Sequence, residues 1–304
     1  MRRSATACLT AVGIVAAVLA ACQGGSAPGA NRPGTFSGST SGNASPSSTG
    51  PSTSQSSSGS TPTRTPGPSA SRTTTRPPSQ TPTRTTTATP TALPAALLGR
   101  VVVRVPTSAH VVALTFDAGA NADGVTSILG TLRAHRVAAS FFLTGSFVAH
   151  YSALSRDMAA AGRVGDHTVT HPHLPGLADV AVRAEVLDAR SDILAATGHD
   201  PRPFFRFPYG DTSAHTLAVV NGLGFAAVGW TVDTLGWEGT SSGVTVGEVV
   251  SRVLAACSPG EIVLMHVGSN PSDHSTLDAD ALPQVIAGLA VRGYSFVTLD
   301  ALLG

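Results

Sequence analysis

Lysine is absent from all 304 residues, aromatic side chains make up only 5% of them, and no acidic residue precedes Asp117. Seven of the 19 basic residues, every one an arginine, lie before residue 98, so the remaining twelve face all 18 acids and the later part of the chain is acidic. That balance leaves no basic footprint of the kind nucleic-acid binding needs, and excludes nucleic acid as a partner. Three cysteines are too few for a disulfide scaffold. Of these, Cys257 stands at the end of an apolar helical pattern and reads as a structural thiol, not a nucleophile.

What is present begins with Arg2-Arg3 and an apolar stretch from Ala5 to Leu19, short for a membrane span but suited to a signal peptide. It runs into Leu19-Ala20-Ala21-Cys22. Small residues before a cysteine at this place resemble the lipobox of bacterial lipoproteins, which implies acylation of Cys22 and anchorage on the outer face of the cytoplasmic membrane, facing the cell wall. Ordinary secretory cleavage is the alternative, and both mean export. From Gln23 to Pro94 the chain is almost wholly Ser, Thr, Pro, Gly and Ala with scattered arginines. Such a segment cannot bury enough apolar surface to offset its ordering entropy, and as a flexible coil it would reach about 45–50 Å. The expected organisation is a signal over 1–21, a lipid-attachment cysteine and linker over 22–95, and one folded domain over 96–304.

Within that domain, apolar runs alternate with amphipathic segments. Strands are predicted at Val111–Asp117, Val137–Thr144, Arg163–His167, Pro203–Phe207, Phe225–Asp233, Glu261–His266 and Tyr294–Leu299. Helices are predicted at Gly124–His135, Ser146–Ala161, Ala178–Ala196, Ser213–Asn221, Val246–Ala256 and Ala279–Val291. In the third helix, Val180, Ala184, Leu187, Ser191 and Leu194 recur at helical spacing and are the expected buried face. Near-continuous apolar strands alternating with helices imply an α/β fold, with a parallel sheet covered on both sides as an open doubly wound sheet or a barrel.

The chemically useful side chains gather where these strands end. Asp117 closes the first strand, His167 the third, Arg206 lies near the end of the fourth, Asp233 closes the fifth and His266 the sixth. In parallel α/β folds those ends share one face, and that face carries the site. His167 and His171 would stand about 13 Å apart in a straight strand, too far to share one metal ion, so the chain must curl after the strand if they do. Asp117 before Gly119 suits a general base, a metal ligand or a helix cap. Arg206, in an aromatic strand end, needs a carboxylate partner if buried. His266, taken alone, reads as a core histidine with its hydrogen bonds satisfied.

Taken in order, Asp117–Gly119, His167–His171, Arg206–Tyr209, Asp233–Trp237 and Leu264–His266 resemble the five motifs of the NodB-type polysaccharide deacetylases. The resemblance covers about Val111 to Leu299. It implies a distorted (β/α)7 barrel and a metal-dependent hydrolase that removes N-acetyl groups from a cell-wall polysaccharide, with peptidoglycan the expected one. A divalent metal, usually zinc, would be held by His167 and His171. Asp117 would be the base, His266 the acid, and Arg206 would hold Asp117. A backbone N–H near Tyr209 would meet the oxyanion, and Phe207, Pro208, Tyr209 and Trp237 would line the sugar groove. Two positions depart from the family pattern. Ala118 stands where a second aspartate completes the metal site, leaving Asp123, Asn121, Asp166 or water to substitute, with Asp123 taken as the third ligand. Gly236 stands where an aspartate tunes the catalytic histidine, a role that would pass to Asp233. The alternative is a degenerate wall-glycan-binding lipoprotein of the same fold.

Overall fold

The computed structural model describes residues 93–304; the signal, Cys22 and the linker through residue 92 lie outside them. Among the described residues no helix is long and apolar enough to cross a membrane. The strands are β1 (Val101–Val102), β2 (Val111–Ala118), β3 (Ala139–Leu143), β4 (Gly162–Asp166), β5 (Phe204–Phe205), β6 (Ala226–Val228), β7 (Val232–Asp233), β8 (Glu261–His266) and β9 (Ser295–Phe296). The helices are α1 (Val125–His135), α2 (Gly145–His150), α3 (Ser152–Ala161), α4 (Asp179–Thr197), α5 (Ala214–Gly222), α6 (Val246–Ala256) and α7 (Leu277–Val291). All strand pairings are parallel, in the order β1-β6-β5-β4-β3-β2-β8-β7, with β9 beside the start of β2.

This sheet curls into a distorted barrel. The residues after β1 reach the far edge, where Arg104 bridges Glu261 and the Val105 N–H donates to the Gly260 carbonyl at 2.8 Å. The expected strand Phe225–Asp233 is broken for the same reason. Its first half pairs with β5 and β1, its second half with β8, and Gly229-Trp230-Thr231 carries the chain between them. Glycine is needed at 229 because a Cβ there would lie 2.9 Å from Val101 Cγ1. Central β2 is buried along seven of its eight residues and alternates between two cores, as a strand covered on both faces must. Val112, Leu114 and Phe116 pack toward the helices, while Ala113 faces the barrel interior with Phe142, Phe204 and Ile262.

Two helical expectations are corrected. The single helix Ser146–Ala161 is two, α2 and α3, divided at Tyr151, whose φ of −124° and ψ of 44° leave the helical region. In α4 the buried face is Val182, Val186, Ala189 and Ile193, while Val180 is 77% exposed and Leu187 and Leu194 are also outward. Both stripes have helical spacing, so periodicity alone does not choose between them. Packing selects the β-branched stripe, which turns Glu185 inward as well. Cys257 is partly buried at the end of α6, and burial raises its thiol pKa, consistent with an inert thiol.

Candidate functional site

A cavity of about 610 Å³ opens at the carboxyl ends of the strands. Asp117, His167, His171, Phe207, Tyr209, Asp233, Trp237 and His266 all line it, together with Leu264 of the Leu264–His266 segment and with Trp230, which the sequence does not single out.

The floor is an ion pair. Arg206 is fully buried and its Nη1 donates to Asp117 Oδ1 at 2.7 Å, while Nη2 donates to Thr115 Oγ1 at 2.9 Å and to the Gly229 carbonyl at 3.1 Å. Its guanidinium lies 4.2 Å from the Phe142 ring centre and 5.7 Å from that of Trp230. Burial pushes the Asp117 carboxyl upward, but Arg206, His167 and His266 outweigh it and hold Asp117 below the ordinary carboxylate value. Asp117 is therefore ionised at neutral pH, with Oδ2 free of Arg206 and 3.4 Å from His167 Nε2.

The curl required after β4 is present. Thr168 and His171 adopt φ of 69° and 61°, left-handed conformations that cost non-glycine residues about 1–3 kcal/mol and recur at functional sites. Carboxylates on the protein side hold this turn: Asp166 Oδ1 accepts the Thr168 N–H at 2.9 Å, and Glu185 Oε2 accepts the Val169 and Thr170 N–H groups, each at 2.9 Å. The result brings His167 Nε2 and His171 Nε2 to 3.1 Å. His167 Nδ1 donates to the Arg206 carbonyl at 2.8 Å, which fixes the tautomer and leaves Nε2 as a lone pair. Burial lowers the His167 pKa, and burial together with His167 brings His171 down to about 4, so both rings are neutral, the ligand form, at pH 7.

These two converging imidazole nitrogens are donors of the kind a divalent cation takes. Among the described residues no group of three His, Cys, Asp or Glu side chains is arranged to hold one. The third-ligand assignment to Asp123 is corrected: its carboxylate accepts the Ser269 hydroxyl and does not line the cavity. Asp166 is fully buried, and burial raises its pKa well above the ordinary value. It lies near Glu185 and Arg190 of α4, away from the cavity. Ala118 is fully buried in the core on the helix side of β2. Pro208 is also corrected; it is buried beneath the turn that presents Tyr209 and takes no part in the cavity wall.

Tyr209 and Trp237, 60% and 49% exposed, flank the opening. Tyr209 sits in the left-handed region at φ 60°, stacks on His173 with centroids 4.1 Å apart, and meets the His171 ring edge at 4.5 Å. His266 lies beside Asp117, its register partner across β2 and β8, with the Trp237 ring 6.4 Å away. Asp233 lines the cavity and its Oδ1 accepts the Leu235 N–H at 2.9 Å. Behind His266 lies Asp278, a buried residue of α7 that sequence reading missed; its Oδ2 accepts the His266 backbone N–H at 2.8 Å.

Known proteins resemble this chain in sequence and fold. A family profile described as Polysaccharide deacetylase matches residues 104–228. The peptidoglycan-N-acetylglucosamine deacetylase of Bacillus cereus is 32% identical over 198 residues, covering 65% of this chain and 70% of the relative. A chitooligosaccharide deacetylase of Sinorhizobium fredii is 36% identical over 192 residues, 63% of this chain and 87% of that one. The solved Bc1960 peptidoglycan N-acetylglucosamine deacetylase has a TM-score of 0.61 and 30% identity, over 66% of this chain and 92% of its own. A CE4-family pseudoenzyme from Bacillus anthracis, BA3943, also has a TM-score of 0.61, at 26% identity, over 68% and 69% of the two chains. With that extent of shared sequence and the same curled sheet, this chain belongs to the polysaccharide deacetylase family.

Proposed function

We propose that this protein is a metal-dependent N-deacetylase of a cell-wall glycan, peptidoglycan, held on the outer face of the cytoplasmic membrane by a lipid at Cys22. The observation that carries the reaction is the convergence of ionised Asp117 with the two neutral imidazoles His167 and His171 in one cavity, with His266 beside Asp117 on the adjacent strand. The similarity to peptidoglycan deacetylases supports the substrate; the arginine pair, apolar stretch and Leu-Ala-Ala-Cys run support the location.

His167 and His171 would hold the cation, zinc by the nature of the donors. A carboxylate held as low as Asp117 is a weak base, and the chemistry the cation supplies when bound is to acidify water and polarise the amide carbonyl. Asp117 takes the proton from the attacking water, with Arg206 fixing its position. The Tyr209 backbone N–H meets the oxyanion that develops on the acetyl carbonyl oxygen. His266 delivers a proton to the departing sugar nitrogen, so that acetate and a free amine leave. Burial disfavours charge on His266, but Asp278, Asp117 and Asp233 prevail and raise its pKa, which keeps the ring supplied with its acidic proton near neutrality. Tyr209 and Trp237 provide exposed aromatic faces for sugar rings.

A second reading, a glycan-binding protein without catalysis, is favoured by the lack of a third ligand among the described residues and by the likeness to the BA3943 pseudoenzyme. The discriminating experiment assays acetate release from N-acetylated peptidoglycan strands and chitooligosaccharides, with zinc and with a chelator. Release that the chelator abolishes supports the deacetylase; binding without release supports the second reading. The metal ligands have their own test. Glu185→Ala should loosen the turn that joins His167 to His171 and weaken zinc binding about 10- to 100-fold, measured against a chelating dye.

A further inference from the structure

Gly236 leaves a space, and another residue occupies it. A Cβ built on Gly236 would lie 2.4 Å from Asp278 Oδ1 and 2.6 Å from its Cγ. The carboxylate that the family pattern carries at position 236 is thus replaced in space by one from the first turn of α7, where the helix N-terminus favours negative charge. Asp278 is 3% exposed and held at both oxygens: Thr234 Oγ1 donates to Oδ1 at 2.7 Å, and the His266 backbone N–H donates to Oδ2 at 2.8 Å. The same Oδ2 lies 3.7 Å from His266 Nδ1, a buried nitrogen with no hydrogen-bond partner among the described residues. The remainder of the His266 side chain, 28% exposed, opens onto the cavity.

We propose that Asp278 is the positioning residue for His266, pairing with Nδ1 so that the ring presents Nε2 and its proton to the substrate nitrogen, the work expected of Asp233 from sequence. The inference rests on the reading of His266 as the proton donor. Asp233, by contrast, uses its carboxylate on the Leu235 N–H and forms neither a hydrogen bond nor an ion pair with the ring. The charged and titratable groups around His266 are Asp117 from β2, Asp233 from β7, Asp278 from α7, and His167 and His171 from the turn after β4. Of the carboxylates, only Asp278 lies within ion-pair distance. A histidine whose pKa is raised donates a proton up to that pKa, so activity falls on the alkaline side as pH rises through it.

The test uses the full chain with zinc. His266 is titrated by NMR, and kcat/KM for acetate release is recorded against pH, in wild type, Asp278→Asn and the double variant Gly236→Asp/Asp278→Ala. Asp278→Asn is expected to lower the His266 pKa by about one unit and to shift the alkaline limb of kcat/KM down with it, a roughly tenfold loss on that limb, with KM little changed. The double variant returns a carboxylate to the same space and should restore both values. An unmoved His266 pKa in folded Asp278→Asn overturns the proposal, as does an unmoved alkaline limb. The titration needs no turnover: a lowered pKa without acetate release upholds the pairing while contradicting the deacetylase reading. If Asp278→Asn does not fold, a double variant with the wild-type pKa supports the proposal and one with a lowered pKa overturns it.

Discussion

Asp117→Asn is expected to reduce kcat/KM for acetate release about 100- to 10,000-fold, the range that loss of a positioned general base produces. The amide keeps the shape of the carboxylate and an oxygen for Arg206 Nη1, so the cavity should survive and glycan binding with it. What disappears is the proton acceptor and the counter-charge to a fully buried guanidinium. The second loss lowers stability, but only in part, because Thr115 Oγ1 and the Val228 and Gly229 carbonyls still accept from Arg206. Activity should therefore fall far more than Tm. The comparison of kcat/KM with Tm separates a chemical role from a structural one, and a variant that loses both together would contradict the assignment.

Arg206→Met is expected to do the reverse in proportion. Methionine fills much of the stem volume between Phe142 and Trp230 but leaves Asp117 buried without its cation. Breaking one side of a buried pair costs about 3–5 kcal/mol. At about 2–4 °C per kcal/mol for a domain of this size, Tm should fall by about 6–20 °C. The sign of the pH effect follows from the pairing. Asp117 is held below its ordinary pKa, so its contribution to stability is present above the unfolded carboxylate value and is lost as pH falls through the folded one. Without Arg206 the desolvation of Asp117 loses its largest counterweight and the Asp117 pKa rises. Part of that stability returns as pH is lowered and the carboxyl becomes neutral, so the Tm gap between wild type and Arg206→Met should narrow in acid. Differential scanning calorimetry from pH 7 down to pH 4 checks this; a constant gap would contradict it.

Much of the site could be read in the sequence because its chemistry is tied to strand ends. Asp117, His167, Asp233 and His266 each end or immediately follow an apolar run, and a parallel sheet converts that one-dimensional pattern into a shared face. The need of buried Arg206 for a carboxylate, and the need for a curl between two histidines, were also legible, since both follow from charge burial and chain geometry. The parts that were not legible depend on which of two equivalent faces packs, or on where a loop returns. Val180, Leu187 and Leu194 have the same helical spacing as Val182, Val186 and Ile193, and only the fold decides between them. Asp278 reaches His266 because the segment after β8 folds back before α7 starts; the one sequence signal for it is indirect, the glycine at 236 that leaves its space open. Trp230 gives no such signal because it sits in the break between β6 and β7, where the apolar pattern predicts a single strand. Asp123 looked available as a ligand by type and nearness in sequence, yet Ser269 engages it.

The central claim, that Asp117 and His266 carry out deacetylation from adjacent strand ends in one cavity, is tested most directly by following acetate release from N-acetylated peptidoglycan strands with the zinc-loaded full chain and its Asp117→Asn and His266→Ala variants. The account predicts release by the wild type, one acetate for each free amine formed, and a loss of at least about 100-fold in each variant with glycan binding retained. Release that continues unchanged in either variant would contradict it.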